Sequence, residues 1–406
     1  MDKNANLQIL TSNLPIHADE KLLSSVVSAF SNKNYIITPG FTDVHVHLRE
    51  PGFSYKETIK TGTLASAKGG YTTVFSMPNL NPVPDSLPNL NEQLKIINAD
   101  AQIKVLPYGA ITVGEKGKVI ADLEGMANYV CAFSDDGKGV QDSGIMLEAM
   151  QRIAKLNKVL AAHCEDESLL NGGYIHDGDY AKANNHLGIC SASEYKQIER
   201  DLVLADKAKC PYHVCHISTK ESVQIIRDAK KSGVDVTCET GPHYLVLSDK
   251  DLQEEGRFKM NPPLRSERDK KELINGVLDG TIDVIATDHA PHSLEEKSKG
   301  LKNSPFGITG IETAFSLMYT YFVKKNIISL DKLLSLLITN PNKRFGIKSN
   351  GFTVLNLTDE YKISSKDFLS KGKSTPFENY LVFGKCMLTA TNDKIVYLDN
   401  SIKNLF

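Results

Sequence analysis

Short apolar runs alternate with amphipathic segments along most of the chain. Three of the segments have helical periodicity, namely residues 55–70, 146–157 and 220–233. Eight strands alternating with helices predict a parallel α/β architecture, most simply a (β/α)8 TIM-type barrel. The eight apolar runs lie at residues 41–48, 72–79, 103–112, 129–137, 158–166, 212–219, 234–244 and 282–292.

The two ends of the chain do not follow this repeat. We expect the barrel to occupy residues 36–346, and we expect residues 1–35 and 347–406 to form a small satellite β-structure beside it. Within the second terminal segment, residues 380–399 have the pattern of two short strands joined by a turn at Asn392-Asp393. The preceding stretch, residues 364–380, has the composition of a loop.

Nearly every apolar run ends in polar residues that are able to do chemistry. The run DVHVHLRE (43–50) is the plainest case, because side chains alternate along a strand. His45, His47 and Arg49 then share one face with Asp43, and the aliphatic residues between them share the other. Active sites of TIM-type barrels are built at the carboxyl ends of the strands, so these polar ends are expected to meet.

A metal site is the chemistry that these strand ends favour. A His-x-His pair alone is weak evidence, and each polar end could be satisfied by hydrogen bonds. Four histidines and two carboxylates at one end of a single barrel favour ligation of zinc or a similar divalent ion. A pair of ions would need an anionic bridge, which an aspartate can supply. The candidate residues are His45, His47, His163, His216 and Asp288, together with the adjacent pair Asp135 and Asp136.

The bulk properties exclude other classes of function. The net charge of −2 gives no basic footprint for nucleic acid. The seven cysteines include no Cys-x-x-Cys pair, which is typical of reduced thiols in a cytoplasmic protein. The N-terminus has no secretory pattern, and no apolar run is long enough to span a membrane. We therefore expect a cytoplasmic protein that acts on a small molecule.

Further polar residues suggest how a substrate would be held. Arg49 can bind a carboxylate with two parallel hydrogen bonds. Turn chemistry is an equal alternative for Asn79 and Asn261. The glycine-containing loop NSPFGITG (303–310) could bring its backbone close to a ligand. Arg265 and Arg268 are interpreted as surface charges.

Together these motifs resemble the dihydroorotase family, specifically the bacterial type related to the dihydroorotase domain of the animal multifunctional pyrimidine protein. That family belongs to the amidohydrolase superfamily of (β/α)8 barrels. The resemblance covers roughly residues 36 to 346, and beyond residue 346 the sequence departs from the family pattern. The matching motifs are PGFTDVHVHLREPG (39–52), SMPN (76–79), SDDGKGVQ (134–141), AHCED (162–166), YHVCHIST (212–219), KMNPPLR (259–265), IATDHAPH (285–292) and KNSPFGITGIET (302–313).

The resemblance implies a ligand set for two zinc ions. His45 and His47 would bind the first ion with Asp288, while His163 and His216 would bind the second. Asp136 would bridge the two ions. In other family members the bridge is a carbamylated lysine, and Lys138 is the less favoured alternative here. The residues that would hold the substrate are Arg49, Asn79, Asn261 and His292, with backbone groups of Phe306 and Gly307.

The implied reaction is the reversible cyclisation of N-carbamoyl-L-aspartate to L-dihydroorotate in de novo pyrimidine biosynthesis. A metal-activated hydroxide would attack, with Asp288 as general acid and base. A homodimer and a possible association with aspartate transcarbamoylase are also implied. Two alternatives remain: another cyclic amidase such as a hydantoinase or allantoinase, or an inactive relative that scaffolds aspartate transcarbamoylase. Inactive relatives usually lose ligands, and all six are present here.

Overall fold

Seven parallel strands form the centre of the molecule in the computed structural model, which describes residues 8–9, 16–30, 35–391 and 393–405. They belong to two sheets, and neighbours in the chain are neighbours in space. The first sheet contains Phe41–Val46, Tyr71–Ser76 and Lys104–Pro107. The second contains Leu160–Ala162, Tyr212–Val214, Val236–Thr240 and Val284–Ile285.

Isolated parallel bridges close the two sheets into a ring. Phe133 pairs with Gly109 on one side and with Leu160 on the other, and His289 pairs with Val46. The protein is therefore a TIM-type barrel, as the sequence predicts.

The fourth position of the ring differs from expectation, because residues 129–137 form only bridges and no regular strand. Backbone hydrogen bonds still run on both sides of this segment, since the N–H of Ser134 donates to Gly109 at 2.9 Å and that of Phe133 to Val159 at 3.1 Å. Beyond these bonds, the Asp135 carboxylate accepts the backbone N–H groups of Ile111 and Thr112 at 2.7 and 3.1 Å.

Helices follow the strands and cover the barrel. The three predicted amphipathic segments form Ile59–Lys68, Ser143–Lys155 and Lys220–Lys231. Each begins at a residue whose side chain accepts a backbone N–H of the first turn, which satisfies a donor that the helix leaves free. The other helices of eight or more residues are Glu20–Phe30, Leu87–Asp100, Ala192–Ala208 and Glu267–Asp279.

Shorter helical segments fill the connections. The α-helical ones are Leu123–Met126, Asp179–Ala183, Pro242–Val246, Leu294–Lys297, Gly300–Asn303, Ala314–Met318, Leu330–Leu334 and Asn340–Phe345. Two π-helical stretches, Tyr319–Val323 and Ser335–Thr339, continue the later ones. In the described part of the chain, no helix has both the length and the apolar character needed to cross a membrane.

The two termini share a five-stranded sheet beside the barrel. Its order is Gln8–Ile9, Tyr35–Pro39, Phe352–Asn356, Lys385–Ala390 and Ile395–Leu398. The last two strands are antiparallel, as predicted, while Asn392 of the predicted turn lies outside the described residues. Helix Glu20–Phe30 packs on this sheet through Val26 and Phe30, so the sheet has an apolar core of its own. The satellite β-structure is thus confirmed.

The irregular segment 364–380 is attached to the barrel by two buried carboxylates. Glu57 accepts hydrogen bonds from the Ser370 hydroxyl and, at 3.2 Å, from the backbone N–H of Lys371. Glu312 accepts the backbone N–H groups of Leu369 and Ser370 at 2.9 and 3.1 Å. The segment therefore packs against the barrel even though it contains only one helical turn, Ser365–Asp367.

Candidate active site

The candidate residues converge on one cavity of about 160 Å³ at the carboxyl ends of the barrel strands. His45 is fully buried directly behind the cavity, with Nε2 at 3.4 Å from Oδ1 of Asp136. The sequence thus identified side chains that the fold brings together from distant parts of the chain. The predicted site residues that line the cavity are His47, Arg49, Asn79, Asp136, His163, His216, Asn261, Asp288, His292, Phe306 and Gly307.

The strand Phe41–Val46 positions the two histidines of the opening motif. Val44 and Val46 are both fully buried, but in different apolar clusters, because the strand is irregular between Asp43 and Val46 and the predicted strict alternation breaks there. The buried carboxylate of Asp43 accepts the Thr287 hydroxyl at 2.6 Å and the backbone N–H of His45 at 3.1 Å. Asp43 therefore links this strand to the segment that carries Asp288 and has a supporting role.

The first predicted ligand set is compact. Oδ1 of Asp288 lies 3.0 Å from Nε2 of His47 and 3.5 Å from Nε2 of His45. One ligand atom from each of the three side chains lies within 4.8 Å of the other two. This spacing allows one cation to contact all three side chains.

The second predicted set lies beside the first, with Asp136 between them. Nδ1 of His163 and Nε2 of His216 are 3.0 Å apart. Oδ1 of Asp136 lies 3.7 Å from that His216 nitrogen, and Oδ2 lies 3.5 Å from Nε2 of His47. One carboxylate thus faces both sets. Lys138 is exposed, which favours Asp136 over the lysine as the bridging group.

The donor atoms and the local charge fit a metal-binding site. Nε2 of His45 and Oδ1 of Asp136 are buried atoms without a hydrogen-bond partner among the described residues. Burial alone would lower the pKa of His45, but the charges of Asp136 and Glu239 raise it well above its usual value. The cluster therefore stabilises positive charge, and imidazole and carboxylate are ligands of zinc and related ions.

Three residues of the site have an unusual backbone conformation. Arg49, His216 and Asp288 have φ values of 63°, 31° and 45°. Non-glycine residues in this region cost of order 1–3 kcal/mol each and persist where the surrounding structure determines them. The packing of the barrel mouth therefore holds these side chains in place against a local preference.

Arg49 is a buried cation that faces the cavity. Its Nε donates to the carbonyl of Pro291 at 3.2 Å, and Nη2 lies 3.3 Å from Nε2 of His292. Burial lowers the pKa of Arg49 to about 10, so the guanidinium remains charged at neutral pH. Within the described ranges no carboxylate lies at ion-pair distance from it. Because an unpaired buried charge is costly, an anionic ligand is the expected partner.

Asn79 makes hydrogen bonds to two of the predicted metal ligands. Its Oδ1 lies 2.9 Å from Nδ1 of His47, and its Nδ2 donates to Oδ2 of Asp136 at 3.3 Å. The side chain therefore orients two predicted metal ligands in addition to lining the cavity. Its predicted contact with substrate stays a prediction.

The predicted backbone contacts at Phe306 and Gly307 are partly used within the protein. The N–H of Gly307 donates to the carbonyl of Lys259 at 3.0 Å, and the carbonyl of Phe306 is 2.7 Å from Nε2 of His292. The buried ammonium of Lys297 donates to the carbonyl of Gly307 at 2.7 Å. The two carbonyls keep a second lone pair each, so this loop can still accept N–H groups from a ligand.

Sequence reasoning missed the role of three further residues. Glu239 ends its apolar run as the other site residues do, and its Oε1 lies 2.7 Å from Nδ1 of His45. Glu165 has the same strand parity as His163 and contacts Asn261. The surface assignment of Arg265 is wrong, because its guanidinium is buried and donates to the carbonyl of Ile189 at 2.7 Å. Arg268 is exposed, as predicted.

Comparison with known proteins gives a consistent result. A family profile described as "Dihydro-orotase-like" matches residues 34–222. A relative from Fusobacterium nucleatum subsp. nucleatum, named dihydroorotase, is 52% identical over 382 residues, which is 92% of this chain and 90% of the relative. A dihydroorotase from Bacillus cytotoxicus is 50% identical over 376 residues, covering 90% of this chain and 88% of the relative.

Solved structures give the same architecture. An L-hydantoinase (dihydropyrimidinase) from Arthrobacter aurescens has a TM-score of 0.81 at 23% identity, with 97% of this chain and 95% of that chain covered. A dihydropyrimidinase from Brevibacillus agri has a TM-score of 0.77 at 21% identity, with 90% and 86% covered. At this identity the similarity establishes the barrel fold alone.

Proposed function

The chain belongs to the dihydroorotase family, and from this membership we propose that it interconverts N-carbamoyl-L-aspartate and L-dihydroorotate in de novo pyrimidine biosynthesis. One observation carries the proposal. The buried, unpaired guanidinium of Arg49 lines the same small cavity as the metal-type cluster. A cyclic amide that bears a carboxylate has the two features that such a cavity can bind: an anion for Arg49 and an amide for hydrolysis.

We propose two zinc ions per chain as the cofactor. His45, His47 and Asp288 would hold one ion, His163 and His216 the other, and Asp136 would bridge them. When bound, the ions would make a water molecule nucleophilic near neutral pH and would polarise the amide carbonyl. The unpartnered buried atoms of His45 and Asp136 support this assignment.

The chain's own side chains would supply proton transfer and orientation. Asp288 would accept a proton as the carboxylate and pass it to the leaving nitrogen, as a positioned base and then acid. Arg49 would pair with the substrate carboxylate, assisted by Asn79 and His292, which line the same cavity. Fixing the substrate at its carboxylate sets the position of the amide carbonyl for attack.

The remaining contacts would be hydrogen bonds to the polar atoms of the dihydroorotate ring. Asn261 and the backbone carbonyls of Phe306 and Gly307 lie along the cavity and offer acceptors. A side chain at Gly307 would collide with Ala290, since a Cβ built there lies 2.7 Å from the Cβ of Ala290. Glycine therefore allows this loop to pack closely against Ala290 at the edge of the cavity.

The setting of the activity is also part of the proposal. We propose a cytoplasmic homodimer that can associate with aspartate transcarbamoylase. All seven cysteines are free thiols, which supports a reducing compartment. We further propose two structural units, a barrel and a terminal unit. Since Tyr35–Pro39 pairs within the terminal sheet, we draw the first boundary after Pro39. Light scattering of the purified protein would measure the oligomeric state.

A substrate panel tests the proposal against its alternatives. The purified protein should hydrolyse dihydroorotate and should leave hydantoin and allantoin largely unchanged. Preferred turnover of hydantoin or allantoin would assign the chain to another cyclic amidase. Binding of aspartate transcarbamoylase without turnover of any of the three compounds would favour an inactive scaffold.

A further inference from the structure

Glu165 contacts two residues to which the proposed function gives different tasks. Its two carboxylate oxygens each accept a hydrogen bond from Nδ2 of Asn261 at 3.1 Å. One of them also lies 3.6 Å from Nε2 of His163. We propose that Glu165 is a positioning residue: it turns the Asn261 amide so that Oδ1 faces the ligand and accepts an N–H group of the substrate. This inference rests on the proposed function and specifies one of its contacts.

The chemistry of the pair fixes the orientation of the amide. An ionised carboxylate has acceptors only, whereas an amide has a donor end and an acceptor end. The reverse orientation would place Oδ1 of Asn261 against both oxygens of Glu165, which would be acceptor against acceptor. The amide therefore presents its NH2 group to Glu165, and its oxygen must point away from Glu165.

The Asn261 oxygen that points away from Glu165 has no hydrogen-bond donor beside it in the described part of the chain. This oxygen, Oδ1, is buried. Buried polar atoms are nearly always paired, so an unpaired one needs an explanation. Asn261 lines the cavity that also contains Arg49 and Asp288. A ligand in that cavity is the donor that the position lacks.

The cavity offers hydrogen-bond donors at Arg49 and an acceptor at Asn261, and this difference determines which chemical groups can bind at each position. Arg49 offers only donors and suits the carboxylate of the substrate. An acceptor at Asn261 suits an N–H of the cyclic amide, or of the ureido group after ring opening. A site that accepts a hydrogen bond rejects a ligand that presents an oxygen without a proton there, because two acceptors would face each other. Glu165 thus sets specificity through Asn261 without contacting the substrate.

The contact with His163 requires a separate measurement. Nδ1 of His163 faces His216, so Nε2 is the nitrogen on the far side of the ring. A carboxylate near Nε2 favours a proton there and leaves Nδ1 free to bind a cation. Loss of Glu165 could therefore act on the metal or on the substrate, and the experiment must measure the two effects independently.

An exchange of donor and acceptor tests the proposal. Asn261→Asp places two carboxylates side by side and should raise the KM for dihydroorotate about tenfold, the loss expected for one hydrogen bond. In the double variant Glu165→Gln/Asn261→Asp, the amide introduced at position 165 can donate to the carboxylate introduced at position 261. The other oxygen of that carboxylate still faces the cavity, so the KM should return toward that of the unmodified protein.

Three measurements complete the test. Glu165→Gln alone should raise the KM more than it lowers kcat, and Glu167→Gln, an exposed neighbour, is the matched control. The zinc content should be equal in all variants. A double variant no better than Asn261→Asp, or a KM increase that accompanies zinc loss, would overturn the proposal. Failure of the unmodified protein to hydrolyse dihydroorotate would instead overturn the proposed function.

Discussion

Oε1 of Glu239 lies 2.7 Å from Nδ1 of His45, and both side chains are buried in the barrel interior. The other carboxylate oxygen lies 3.1 Å from Nε2 of His213. Because a carboxylate can only accept, Nδ1 of His45 carries a proton, and Nε2, which lies 3.4 Å from Asp136, is the nitrogen that would bind a cation. Glu239 therefore sets both the tautomer and the ring orientation of the first predicted ligand.

Removing the charge of Glu239 should weaken metal binding. Glu239→Gln is expected to lower zinc affinity by about 10- to 100-fold, as is usual for partners of ligating histidines. Titration with a competing chelator measures the affinity, and the exposed Glu255→Gln is a suitable control. Unchanged zinc affinity in Glu239→Gln would show that His45 needs no such partner.

Asp288 is expected to be essential for turnover. In Asp288→Asn the side chain keeps its shape but can no longer take up a proton as a carboxylate. We expect turnover of dihydroorotate to fall by at least about 100-fold, which is the low end of the usual contribution of a positioned acid or base. Circular dichroism should report an intact fold. Near-normal turnover in this variant would remove Asp288 from the proton transfer.

Arg49 should act mainly on substrate binding. Arg49→Gln removes a charge-assisted contact, and we expect the KM for dihydroorotate to rise by about 10- to 100-fold. Arg49→Lys keeps the positive charge but loses the planar guanidinium, so its KM should lie between those of the unmodified protein and Arg49→Gln. An unchanged KM in Arg49→Gln would argue against the carboxylate contact.

The sequence allowed the fold class and the convergence of the site to be predicted, because both depend on local pattern. The spacing of His45 and His47 predicts that they point the same way, and parallel strands bring such ends together. Contacts between residues that are far apart in the chain leave no comparable pattern in the sequence. Glu239 is distant in sequence from His45, and the buried Arg265 donates hydrogen bonds to Ser218 and to the carbonyl of Ile189, which are both far from it in the chain. The hydrogen bonds from the backbone of Ile111 and Thr112 to Asp135 likewise could not be read from the fourth apolar run.

His176 should make the stability of the fold sensitive to acid. Burial and the nearby charge of Arg265 lower the pKa of His176 to about 4. Between about pH 6.5 and pH 4 the unfolded chain therefore binds a proton that the folded chain does not, and stability falls as the pH falls.

At pH 5 the loss of folding stability amounts to about 2 kcal/mol. This value is the interval of about 1.5 pH units below the ordinary pKa of histidine, multiplied by about 1.36 kcal/mol per pH unit. Urea unfolding at pH 7 and pH 5 should show a smaller loss for His176→Gln than for the unmodified protein. His17→Gln, at an exposed site, is the control. An equal loss in His176→Gln and the unmodified protein would assign the acid sensitivity to other groups.

If the proposed binuclear zinc site is correct, the hydrolysis of dihydroorotate should depend on zinc. The most direct test measures dihydroorotate hydrolysis and zinc content on the same purified sample, before chelation, after chelation and after zinc is restored. We expect about two zinc ions per chain, loss of turnover with loss of zinc and recovery with its return, because a structural or bystander metal would not follow activity in this way. A fully active sample with fewer than about one ion per chain, or a zinc-loaded sample that does not hydrolyse dihydroorotate, would contradict this expectation.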